Sequence, residues 1–235
     1  MPESSRRESW FGKLLRKRRE KRMFADASPQ AAFDYIYQTN KWGDPDSYSG
    51  SGSNLAQTQA IRAELPALLE RHGIRSLLDA PCGDFFWMRH VELPVDRYIG
   101  GDIVKALVES NNAEHGQPPQ RTFIHLDLTS DTLPEVDALL CRDCMVHLDV
   151  PRNAELIENV RSSDLTYLLA TSHQAVETNV EKEIGRHRLI NLAKAPYHWP
   201  EPIDAITEDI EGGKDTGKVL GLWRVADLPA CAVGA

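Results

Sequence analysis

Three short apolar runs in this chain each lead into an aspartate. Leu77-Leu78 runs into Asp79, Tyr98-Ile99-Gly100-Gly101 into Asp102, and Thr122-Phe123-Ile124-His125-Leu126 into Asp127. Runs this short, rich in branched and aromatic residues, read as buried strands. A fourth, Val136 to Cys141, ends at Arg142-Asp143, and a fifth spans Leu165 to Ala170. Helical patterns lie at about Val104 to Asn112 and Pro151 to Val160. Strands alternating with helices imply a mostly parallel sheet with right-handed crossovers, so the three acids should share one edge of it. Late in the chain, Lys218 to Val225 should pair with Ala205-Ile206-Thr207 as a closing hairpin.

After Asp79 the chain breaks into Ala80-Pro81-Cys82-Gly83-Asp84-Phe85, and Phe85-Phe86-Trp87-Met88 can begin a helix. A strand feeding a tight turn and a helix is how open α/β sheets build nucleotide sites at their carboxyl edge. The glycine allows close backbone approach, and an acid at the second strand's end accepts hydrogen bonds from ribose hydroxyls. Each aspartate alone has a plain alternative, capping the segment that follows. Three in register, one per strand, favour a ligand.

The chain has 235 residues and a formal net charge of −8. That length suits one domain, read here as residues 28 to 235, with an insertion at about 172 to 202. The acidity argues against nucleic acid as the main partner, and no apolar run reaches membrane-spanning length. Four cysteines without a leader-like segment point to a reduced, cytoplasmic setting. The amino end, residues 1 to 27, departs from this average. Trp10, Phe11, Leu14 and Leu15 fall on one side of a helix among arginines and lysines. This pattern suits peripheral contact with an anionic membrane or an acidic partner; the alternative is a solvated tail.

Ser28-Pro29 signals a helix start, with Phe33, Tyr35, Ile36 and Tyr37 supplying an apolar side. Lys41 to Ser53 is rich in glycine and hydroxyls. It reads as a linker or as a loop over a ligand, and Trp42 and Tyr48, with Ser51, favour ligand contact. Residues 54 to 72 read as a helix that Pro66 should kink or split.

These features resemble the class I S-adenosylmethionine-dependent methyltransferases, from roughly Leu55 to Ala170 and the late hairpin. The resemblance implies a Rossmann-like, mostly parallel seven-stranded sheet with helices on both faces and a closing antiparallel hairpin. It implies S-adenosylmethionine as cofactor: Asp79 and Gly83 at its methionine part, Asp102 with Ile103 at the ribose, and Asp127 with Leu128 at the adenine. Pro81, Cys82, Asp84, Phe85 and Arg142 complete the implied set. The family's loop carries three glycines, whereas Pro81 and Phe85 stand in two of those places here. Trp42 to Ser53, Asp79 to Phe85, Tyr98 to Ile103 and Cys141 to Leu148 further resemble motifs of a bacterial branch associated with surface polysaccharides or glycans.

Methyl transfer to a hydroxyl needs positioning and a base. His147 suits the base, with Asp143 orienting it or serving itself; the alternative is that His147 only packs or bonds backbone. Arg142 suits either an anionic substrate or a salt bridge. Arg188 and Asn191, in the insertion, are expected at the acceptor. Cys141 and Cys144, with Cys82 nearby, form too small a set for zinc, so no metal is expected. The expected reaction is O-methylation of a sugar or glycan-like small molecule. Rivals are a NAD-type oxidoreductase or epimerase on the same sheet and a domain that binds S-adenosylmethionine without turnover.

Overall fold

The computed structural model describes Phe24 and residues 27–208 and 217–231. The basic stretch from residue 6 to residue 23 lies outside the described residues. Phe24, at its end, is buried with its ring 5.8 Å from that of Tyr35.

Among the described residues, four α-helices and seven strands make up the fold: α1 (Pro29–Gln38), α2 (Gln59–Arg71), β1 (Ser76–Asp79), β2 (Arg97–Asp102), α3 (Lys105–His115), β3 (Arg121–His125), β4 (Ala138–Cys141), α4 (Val150–Arg161), β5 (Tyr167–His173), β6 (Asp204–Thr207) and β7 (Lys218–Arg224). The strands form one sheet in the order β3-β2-β1-β4-β5-β7-β6, parallel from β3 to β5 and antiparallel at β7. Successive residues of a strand face opposite ways, so a run apolar at every position must be covered on both faces. Leu78, Leu139 and Leu168 pack on one side with Ile36 of α1 and Leu156, Ile157 and Val160 of α4. Leu77, Leu140 and Leu169 pack on the other with Ile61, Leu65 and Leu68 of α2 and Val108 of α3.

Local chemistry fixes the helix starts. Ser28 accepts a hydrogen bond from the Ala31 amide, with Pro29 opening α1, and Asp149 accepts from the Arg152 amide at α4. Elsewhere packing overrides local preference. Pro66 lies inside α2, which remains one helix, held by the buried Ile61, Leu65, Leu68 and Leu69 around it. The expected helix at Phe85 is absent; a single 3-10 turn, Met88–His90, stands there. Phe85 itself has φ +55°, outside the helical region. β3 ends at His125, two residues before Asp127, and β5 extends to His173, three beyond the expected end. Residues 174–203, much of the expected insertion, carry no regular helix or strand. They are nevertheless packed, burying Ile184, Ile190, Leu192, Tyr197 and Trp199 in the core.

Candidate active site

A cavity of about 740 Å³ opens at the carboxyl edge of the parallel strands. Asp79 and Asp102 end their strands there, and Asp127 follows β3. All three line the cavity with Pro81, Cys82, Gly83, Ile103 and Leu128. Arg142, Asp143, His147, Trp42, Tyr48 and Ser51 line it too. Fourteen sequence-derived candidates are thus brought together at one opening.

The first two acids are buried, and their chemistry differs from that of surface carboxylates. Asp79 accepts a hydrogen bond of 2.6 Å from the Tyr98 hydroxyl, yet burial pushes its pKa up to about 7. Asp102 accepts from the Gly83 amide on one oxygen and the Val104 amide on the other, each at 2.9 Å, and burial pushes it up to about 6. Two buried carboxylates lining one cavity favour a ligand bearing a cation or several hydrogen-bond donors. Asp127 folds back on its own turn, accepting from the amide and hydroxyl of Thr129 at 2.9 and 2.7 Å.

The glycine turn is held from outside. Asn111 of α3 donates to the Gly83 carbonyl at 2.8 Å. Gly83 has φ +56°, and a Cβ there would lie 2.0 Å from Ser49 Oγ, so only glycine fits. Two sequence candidates in this turn stand outside the cavity lining. Phe85 packs among Tyr98, His115 and Phe123 at centroid distances of 5.1 to 5.5 Å. Asp84 turns toward the serines of residues 47–49. The resemblance had put both on the cofactor; side-chain direction sends them elsewhere.

The opposite wall is ionic. Arg142 is buried and donates to Glu208 Oε2 through Nε at 2.9 Å and a terminal nitrogen at 2.6 Å; its other terminal nitrogen lies 3.3 Å from Asp143. Lys218 donates to Asp143 at 2.8 Å and lies 3.5 Å from Glu208. Two cations facing two carboxylates leave this wall neutral. The salt-bridge alternative for Arg142 is the one observed, because its guanidinium fork is taken up by Glu208 and Asp143. Asp143 has φ +52°, and Arg142 and Lys218 hold its carboxyl well below the usual range despite burial. It is therefore ionised and forms no hydrogen bond to His147.

His147 lies under Trp42, ring centroids 4.6 Å apart and planes 31° apart. Burial lowers its pKa to about 4, so the ring is neutral near pH 7 and carries one unprotonated nitrogen. Its Nδ1 and Asp143 Oδ1 are both buried without a partner. His187 lies 5.6 Å beyond, ring to ring.

Arg188 and Asn191 stand apart from the cavity. Arg188 pairs with Glu181 at 3.0 Å, and Asn191 donates to the carbonyls of Gln174 and Val176. Both are buried and brace the irregular segment after β5, a task that polar residues take on wherever backbone lacks sheet partners. That segment instead offers Gly185 and His187 to the cavity. Glu208 and Lys218 are the site residues that sequence reasoning missed. Their one signal was position, since Glu208 directly follows β6 and Lys218 opens β7, at the end of the late hairpin facing the cavity. Among the described residues no group of histidines, cysteines and acids is arranged to hold a metal ion. All four cysteines are free thiols, and Cys144 is pushed up by its hydrogen bond with Cys141 and by burial. Nor is any described helix long and apolar enough to cross a membrane.

No family model matches the chain, and no curated protein sequence matches it. Solved structures do. The methyltransferase domain of bacterial CtHen1-CN superposes with a TM-score of 0.54 at 12% identity, covering 72% of this chain and 99% of that one. The DhpI–SAH complex gives 0.52 at 15% identity, covering 83% and 93%. The N-methyltransferase NodS from Bradyrhizobium japonicum WM9, in complex with S-adenosyl-L-homocysteine, gives 0.52 at 11%, covering 80% and 97%. At such identities the likeness is one of architecture: this chain has the Rossmann-like fold of these methyltransferases.

Proposed function

We propose that the chain transfers a methyl group from S-adenosylmethionine to a hydroxyl of a sugar, glycan or related small molecule. The observation that carries this reading is one cavity with two different walls. Buried Asp79 and Asp102 line one side, and the neutral His147 lines the other. The cofactor fits the first wall: Asp79 suits a cationic amine, Asp102 a pair of ribose hydroxyls, and Leu128 an adenine face. When bound, S-adenosylmethionine supplies an electrophilic methyl carbon and leaves as S-adenosylhomocysteine.

The chain's own residues do the rest. Gly83 gives the cofactor close access to backbone, and Trp42 fixes the His147 ring beneath it. His147 would take the proton of the acceptor hydroxyl that receives the methyl group. Asp143, ionised nearby, favours the imidazolium that results. A neutral ionic wall with aromatic Phe33, Tyr37, Trp42 and Tyr48 around it suits an uncharged, hydroxyl-bearing acceptor better than an anionic one. The free thiols agree with action in a reducing cytoplasm, and the basic composition of the stretch before Phe24 suits contact with an anionic membrane.

The test is calorimetric titration with S-adenosylmethionine, S-adenosylhomocysteine and NAD. Both sulfur nucleotides should bind, NAD should not, and Asp102→Ala should weaken binding roughly ten- to a hundredfold. Preferential binding of NAD would overturn the reading. In a methyl-transfer screen over sugar acceptors, His147→Ala should lower kcat by about 10²- to 10⁴-fold while S-adenosylhomocysteine binds nearly as before.

A further inference from the structure

Asp84 sits in the cofactor turn but spends its carboxylate on a distant loop. Oδ1 accepts from the hydroxyls of Ser47 at 3.0 Å and Ser49 at 3.3 Å, and Oδ2 from the Tyr48 amide at 2.8 Å. Its own amide donates to Ser49 Oγ at 3.2 Å. Ser49 in turn fills the space beside Gly83 that a Cβ would need. Beyond this clamp the loop runs to the other wall. Gly50 packs on Trp42, a Cβ on Gly52 would stand 3.3 Å from Asp143 Oδ2, and Trp42 covers His147. One carboxylate therefore links Gly83, whose amide is bonded to Asp102, with the loop that roofs Asp143 and His147.

We infer that Asp84 is a positioning residue that couples the two halves of the cavity. A ligand that orders the Gly83 turn also orders residues 47–53 through Asp84, and completes the acceptor side. By reciprocity an acceptor held under the loop tightens the cofactor. A serine- and glycine-rich loop with little apolar burial of its own opens readily, so a clamp of charge-assisted hydrogen bonds decides its order. The inference rests on the S-adenosylmethionine reading of the turn.

Hydrogen exchange of the full chain, with and without S-adenosylhomocysteine, tests it. In the wild type the ligand should slow exchange at Tyr48 to Ser53 by about tenfold or more. In Asp84→Ala that response should vanish, while ligand-induced protection at Gly83 and Val104 persists and affinity falls by less than about tenfold. Asp84→Asn retains one acceptor oxygen and should respond between the two, and Ser49→Ala should weaken the response without touching the acid. A wild-type loop that ignores a bound ligand, or an Asp84→Ala loop that still responds, overturns the coupling. Failure of the wild type to bind S-adenosylhomocysteine at all overturns the cofactor reading on which the coupling rests.

Discussion

Asp79 shows how far the chemistry of a residue depends on its surroundings. Its ordinary pKa of 3.8 rises to about 7, first through burial, against the lowering effect of the Tyr98 hydroxyl. Between those values the folded chain holds a proton that the unfolded chain has released. The stability carried by the neutral carboxyl is thus present at low pH and lost as pH rises through about 7. His147 acts in the opposite sense. Its pKa falls from 6.5 to about 4, so the stability of its neutral ring is lost as pH drops through that window. Comparing variant with wild type isolates the acid. Asparagine at position 79 keeps an acceptor for Tyr98 without the charge. In ligand-free protein, Asp79→Asn should gain stability over wild type as pH rises from 5 to 8, by on the order of 2 kcal/mol. Thermal denaturation across that range checks it, and a pH-independent difference would show that Asp79 is already ionised in the folded chain. The same variant should bind S-adenosylmethionine poorly at every pH.

At the scale of elements, β2 is built around glycines that the core leaves no room to replace. A Cβ on Gly100 would lie 2.4 Å from the Phe123 ring, and one on Gly101 would lie 2.9 Å from Leu126. Gly100→Ala should therefore destabilise the fold by about 1–3 kcal/mol, read as a lower denaturant midpoint with unchanged slope. If the midpoint held, Phe123 would be freer to shift than its packing against Phe85 and Tyr98 suggests. Elements were legible in the sequence to unequal degrees. Continuous apolar runs announced β1, β2, β4 and β5, because strands covered on both faces have no polar side. The helix expected at Phe85 failed for the reason that Pro66 did not break α2. In both cases the packing of neighbouring side chains outweighed the residue's own preference.

At the scale of the whole molecule, the pair Arg142 and Glu208 joins the loop after β4 to the end of the β6–β7 hairpin, 66 positions away. Both side chains are nearly fully buried, with Glu208 Oε1 left unpartnered. Removing one partner strands a buried charge, so Arg142→Met and Glu208→Leu should each cost about 3–5 kcal/mol. The double variant should recover most of that loss in a double-mutant cycle. Additive losses would mean that the two side chains act independently.

The sequence by itself determined the strand runs, the three acids at one sheet edge, the glycine turn and the closing hairpin. Each is written in local pattern and short spacing, which a single chain segment carries alone. Only the tertiary structure decided that Arg142 is neutralised by Glu208, that Arg188 and Asn191 brace a segment away from the cavity, and that Asp84 reaches the serine loop. Those outcomes depend on where side chains point once distant segments meet, and on which charges burial then compels to pair.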